Sequence, residues 1–167
     1  MKYMKKSNYF GFLLLLSSGV SFSATAADVV ILMSNPQPTC NVSVKPAQDL
    51  GELVAGDRRH TAFPITIACS GTIKSALTAQ NLSGALQVDE YRVSVPMNTV
   101  GAGNGPFLWL QDELGNNLKL TGKASDSFCT ETKSNRTCNV TPWTSTNADS
   151  GWGDGAVTMR FEIIYPA

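Results

Sequence analysis

Residues 156–165 read AVTMRFEIIY, two positions short of the end of the sequence. Val157, Met159, Phe161, Ile163 and Tyr165 fall on one face; Ala156, Thr158, Arg160, Glu162 and Ile164 fall on the other. Period-two alternation marks a half-buried β-strand. Gly153-Asp154-Gly155 leads into it. A strand this apolar must be paired and covered, because an exposed apolar edge recruits other chains. The start of the sequence offers a candidate cover.

The first residues have another purpose. Lys2, Lys5 and Lys6 precede an apolar stretch from Phe10 to Val20, and Ala24-Thr25-Ala26 supplies an A-x-A cleavage site. Residues 1–26 therefore read as a secretory signal peptide. The competing reading, a membrane anchor, is disfavoured because the apolar core falls well short of the roughly 20 residues needed to span a bilayer. Cleavage after Ala26 leaves 141 of 167 residues, a size suited to one domain. The leader holds three of the 13 basic residues and none of the 13 acidic ones, so the remainder carries 10 against 13. No basic patch points to nucleic acid, and no polybasic run points to anionic lipid.

Four cysteines remain: Cys40, Cys69, Cys129 and Cys138. An even number in an exported chain reads as disulfides, with three connectivities open. Local pairing, Cys40 with Cys69 and Cys129 with Cys138, joins segments that look adjacent in a β-fold. A zinc site is disfavoured, since there is no C-x-x-C pair and the single histidine, His60, is remote from every cysteine in sequence.

Strand signals recur along the chain. Cys40–Val44 alternates. Ala62–Cys69 places Phe63, Ile65 and Ile67 on one face, although Pro64 argues for an edge or bulge at its start. Ala76–Gln80, Ala85–Val88 and Tyr91–Met97 are further short candidates, and Thr99–Pro106 reads as a glycine-rich loop. Phe107–Leu110 and Asn117–Leu120 flank a hairpin turn at Asp112–Asn116. Gly56-Asp57-Arg58-Arg59 reads as a polar turn. Residues 125–150, rich in Ser, Thr and Asn, read as a decorated loop with one short strand near Val140–Thr144. Many short strands without an amphipathic helix, a repeat or a linker predict an all-β sandwich.

The order of these pieces resembles the subunits of chaperone–usher pili, the fimbrial proteins of Gram-negative bacteria. The resemblance rests on Asp28-Val29 through Cys40, Leu50-Gly51-Glu52-Leu53, Ile65-Thr66-Ile67-Ala68-Cys69, and Gly153-Asp154-Gly155 into Phe161–Tyr165. It implies an incomplete immunoglobulin-like sandwich lacking its last strand. Residues 27–39 would be an N-terminal donor-strand extension and residues 40–167 the pilin domain. A periplasmic pilus chaperone lends the missing strand, and at the outer-membrane usher the extension of a neighbouring pilus subunit replaces it. This exchange is an established example of β-strand addition. The resemblance assigns Val29, Ile31 and Met33 to the donor face. It assigns Val157, Met159, Phe161, Ile163 and Tyr165 to the acceptor groove. On this reading the chain is exported through the periplasm to the cell surface. The plainer alternative makes DVVILM (residues 28–33) the first strand of its own sandwich. Family members usually carry the C-terminal tyrosine next to last; here Pro166 and Ala167 follow Tyr165.

No catalytic constellation emerges. His60 reads as a solvated loop residue without a nucleophile or acid partner. Asp112-Glu113 suits a turn better than an acid pair. Asp149 and Asp154 miss the spacing of a calcium loop. No cofactor and no metal are expected. Trp109 reads as core, while Trp143 and Trp152 either cap the sandwich or bind sugar or protein. The expected role is a minor or adaptor pilus subunit involved in cell adhesion. The alternatives are a single-domain adhesin that meets a host receptor through residues 125–150, and a pilus terminator. A single domain leaves no room for the separate lectin domain of a two-domain tip adhesin.

Overall fold

The computed structural model describes residues 29–99 and 105–166. The leader, Asp28 and the glycines at 101 and 103 lie outside the described residues. The chain divides into a segment ending at Asn35 and a body beginning at Pro36. From Val29 to Asn35 the described segment has no regular secondary structure, and Val29 through Met33 are exposed.

The body is all-β. Its described residues form eight strands: β1 (Cys40–Val44), β2 (Gly56–Arg59), β3 (Phe63–Asn81), β4 (Ala85–Leu86), β5 (Val93–Ser94), β6 (Phe107–Gln111), β7 (Phe128–Thr146) and β8 (Met159–Ile164). They pair antiparallel in the order β1-β3-β7-β6-β5-β4, with β2 added to β7 and β8 added to β3. No helix among the described residues is long and apolar enough to cross a membrane.

The scaffold is the ribbon made by β3 and β7, each 19 residues long. Their register runs from Phe63↔Val140 to Leu77↔Phe128, with irregularities between Ala68 and Ile73 and between Ser75 and Leu77. Nine extended residues span about 30 Å. Yet the α-carbons of Cys129 and Cys138, nine apart in sequence, lie 6.1 Å apart and are joined by a disulfide. The ribbon therefore turns a corner, and one pair of strands serves both layers of the sandwich. Between the layers sit Ile65, Ile67, Leu77, Val93, Leu120 and Val140, all but fully buried.

Three sequence expectations change here. The polar stretch expected to be a loop forms β7, at the centre of the sheet. From Arg136 onward its inward positions are Arg136, Cys138 and Val140, while Asn135, Thr137 and Asn139 face out. An arginine at an inward position hides the alternation. Arg136 is partnered at two of its three nitrogens: Nη1 donates to the Ser75 hydroxyl (2.8 Å) and Nη2 to the Ser75 carbonyl (2.9 Å), while Nε is buried with no partner among the described residues. Second, Gly56–Arg59 is a short strand on β7 rather than a turn. Third, Ala76–Gln80 is the far limb of β3.

The hairpin turn after β6 forms as expected. Asp112 Oδ1 accepts from the backbone N–H groups of Leu114 and Asn116 (2.9 and 2.8 Å), and Glu113 is held by Asn139. The glycine-rich approach to β8 has a steric reason. A side chain at Gly155 would run into Met97 and the Pro96 carbonyl.

Candidate functional site

Both β1 and β8 lie on the same edge of β3, β1 along its first limb and β8 along its second. Among the described residues, neither pairs with another strand on its outer side. The register fixes which main-chain groups point outward. The Ser70 N–H donates to the Thr39 carbonyl (2.9 Å), so Thr39 and Ser70 form a hydrogen-bonded pair of the ladder. Such pairs alternate with non-bonded ones, whose N–H and C=O groups point away from the partner strand. Counting from that pair, Cys40, Val42 and Val44 direct their backbone groups to the open side. The bond from Leu82 N–H to the Thr158 carbonyl (2.9 Å) gives the same phase to β8. There Met159, Phe161 and Ile163 present theirs.

The same six residues carry the side chains that reach the core. Cys40, Val42, Val44, Met159, Phe161 and Ile163 pack against the buried cluster, and each remains half-exposed. Four of their six partners on β3, Ile65, Ile67, Leu77 and Ala79, are sealed, while Cys69 and Asn81 are half-exposed. The apolar layer is therefore complete on the β7 side of β3 and open on the other. A groove of about 470 Å³ lies along the opening, lined by Cys40, Asn41, Val42, Phe161, Glu162, Ile163 and Tyr165. Outward-pointing main-chain donors and acceptors thus border an apolar floor, as they do along an unpaired sheet edge.

The sequence-predicted residues fall as follows. Phe161, Ile163 and Tyr165 line this groove, Met159 continues it along β8, and Val157 packs against the core just before the strand. Tyr165 is 43% exposed, and its hydroxyl accepts the Cys40 N–H at 2.9 Å. Cys40 is bonded to Cys69 directly across from it, so one disulfide ties the groove wall to β3. Val29, Ile31 and Met33 are exposed. Sequence reasoning missed Cys40, Val42 and Val44 as the second wall. Their alternation was visible, but their position beside β8 depends on the corner in β3.

Two further residues, Trp109 and His60, depart from expectation. Trp109 is on the outer face of the sheet, because Leu108 and Leu110 turn inward. It stacks on Trp143 (centroids 5.9 Å apart, planes 14° apart). Trp152 is 72% exposed and does not cap the sandwich. His60 is half-buried rather than solvated: its Nε2 lies 2.8 Å from the Thr144 hydroxyl, and its N–H donates to the Pro142 carbonyl. Burial, helped by the nearby Arg58 charge, lowers its pKa, against a hydrogen bond to the Leu50 backbone. Among the described residues no cluster of three or more His, Cys, Asp or Glu could hold a metal ion.

No sequence-family profile and no curated protein matches the chain. A comparison of folds does find a similar structure. A chain from a solved structure of a chaperone–usher pilus, determined to explain rod uncoiling, superposes with a TM-score of 0.56. It is 12% identical, and the match covers 89% of this chain and all of that one. Its fold makes this chain similar to a chaperone–usher pilus protein: an all-β, immunoglobulin-like sandwich with one edge left open.

Proposed function

We propose that the chain is a structural, non-enzymatic subunit of a chaperone–usher pilus, a minor or adaptor link that polymerises by donor-strand exchange. One observation carries the reading. The outward main-chain groups of Met159, Phe161 and Ile163, and of Cys40, Val42 and Val44, flank a largely apolar groove. An extended segment with apolar residues at every second position fits such a groove, and Val29, Ile31 and Met33 supply one. Each such side chain, once buried, contributes about 1.5–3 kcal/mol. Possession of both a donor segment and an acceptor groove favours an internal link. The partners are then a periplasmic chaperone, the outer-membrane usher and the neighbouring subunits, with the fibre on the cell surface.

The test uses the chain from Ala27 onward and a fluorescent peptide of residues 27–39. Stable 1:1 capture is expected with the native peptide and with a Val30→Ser/Leu32→Ser peptide. A peptide carrying Val29→Ser, Ile31→Ser and Met33→Ser should fail to bind. Equal binding of all three, or of none, would overturn the reading.

A second reading, attachment to a host receptor, is favoured by the Trp109–Trp143 stack. It lies on the outer face of the same sheet as a groove lined by Arg59, Gln111, Glu113, Asn139 and Thr141. Loss of cell binding in Trp143→Ala with assembly intact would support it; unchanged binding would remove it.

A further inference from the structure

The Cys40 N–H already has a partner at the mouth of the groove. Tyr165 stands just past the end of β8, and its hydroxyl accepts that N–H at 2.9 Å, across 125 residues of sequence. A strand pairing with β1 must place a carbonyl where the phenol oxygen sits. Tyr165 also lines the groove beside Phe161 and Ile163, so its ring occupies part of the space the new strand needs. Pro166 follows it. Proline holds the preceding residue extended and has no N–H to continue the ladder, which fixes the direction in which Tyr165 leaves β8.

We propose that Tyr165 is a placeholder: its hydroxyl stands in for the first carbonyl of an incoming strand, so strand addition must displace it and proceeds more slowly at the Cys40 end. The β1 end of the groove is thereby protected until a strand arrives, and pairing starts on β8. This rests on the strand-acceptor reading above.

The experiment compares the chain from Ala27 onward with its Tyr165→Phe variant. Both carry Ile31→Asp, so that neither donates its own segment. Phenylalanine keeps the ring and deletes only the acceptor. A single neutral hydrogen bond corresponds to roughly a twofold to tenfold change in rate. Association of the labelled 27–39 peptide should speed up by that factor in Tyr165→Phe, with dissociation of the formed complex unchanged. An equal or slower association would overturn the placeholder. Hydrogen exchange at the Cys40 amide in the free chain gives a readout that needs no peptide. It should quicken several-fold in Tyr165→Phe, and an unchanged amide would overturn the proposal. If the native peptide fails to bind while the Cys40 amide responds, the acceptor reading falls and the contact stands.

Discussion

Phe63 and Phe161 meet edge to face, ring centroids 6.3 Å apart, although one opens β3 and the other belongs to the last strand. Phe161 pairs with Ala79 on the far limb of β3, so the contact closes the two layers on each other. Phe128 reaches the same ring from β7, at 6.4 Å. Phe161 is thus the keystone of the open side and is itself half-exposed. Phe161→Ala should destabilise the chain by about 2 kcal/mol, below the 3–5 kcal/mol typical of a sealed phenylalanine. The urea midpoint should fall with an unchanged slope.

The two disulfides should differ in worth. Loop-closure entropy grows with the length of chain enclosed, so the separation of 29 residues from Cys40 to Cys69 outweighs that of nine from Cys129 to Cys138. The entropy model gives about 3.6 and about 2.6 kcal/mol. Paired serine substitutions, compared by chemical denaturation, should keep that order. The reverse order would mean that the corner in β7 needs its staple more than the unfolded-state argument allows.

Ser75 and Arg136 should be inseparable. Ser75 is fully buried, and both its hydroxyl and its carbonyl accept from the guanidinium. Burial also lowers the Arg136 pKa, with the Glu131 charge opposing. Ser75→Ala leaves a buried charged donor with one partner fewer and should cost about 1–3 kcal/mol. In a double-mutant cycle with Arg136→Met the two losses should not add.

Stability should fall on mild acidification because of His60. Its pKa is depressed in the folded chain, chiefly by burial. The unfolded chain therefore binds the proton more readily once the pH drops through the ordinary value of about 6.5. The native state should be unaffected above that pH and progressively destabilised below it, down to the depressed value. His60→Gln should remove this component, so denaturation midpoints of the two proteins should diverge between pH 7 and pH 5.

Much of this was legible in the chain, for definable reasons. Phe63, Ile65 and Ile67, like Met159, Phe161 and Ile163, alternate cleanly, and a period of two needs no tertiary knowledge. FLWL at 107–110 is apolar on both faces, so its parity could not be read, and Trp109 was placed on the wrong side. In β7 the inward arginine and a run of Thr, Ser and Asn mimic a loop, since backbone pairing leaves no hydrophobic trace. His60 carries no local sign of Thr144, its partner 84 positions away. The alternating side chains of β8 were visible; the neighbouring β1 and the Tyr165–Cys40 contact were not, because both placements exist only once β3 has turned its corner.

The doubled-over ribbon also sets a timetable. Synthesis delivers β3 long before either strand that flanks its second limb: β7 begins at Phe128, and Met159–Ile164 arrive about 80 residues after the segment they pair with. During that interval Ala76–Asn81 has both borders bare, and chains in that condition are the ones that clump. Even the finished molecule keeps one border undressed, along β1 and β8. Such a chain is most vulnerable while it is being made, and an attendant that reaches it early does more good than one that waits for the C-terminus.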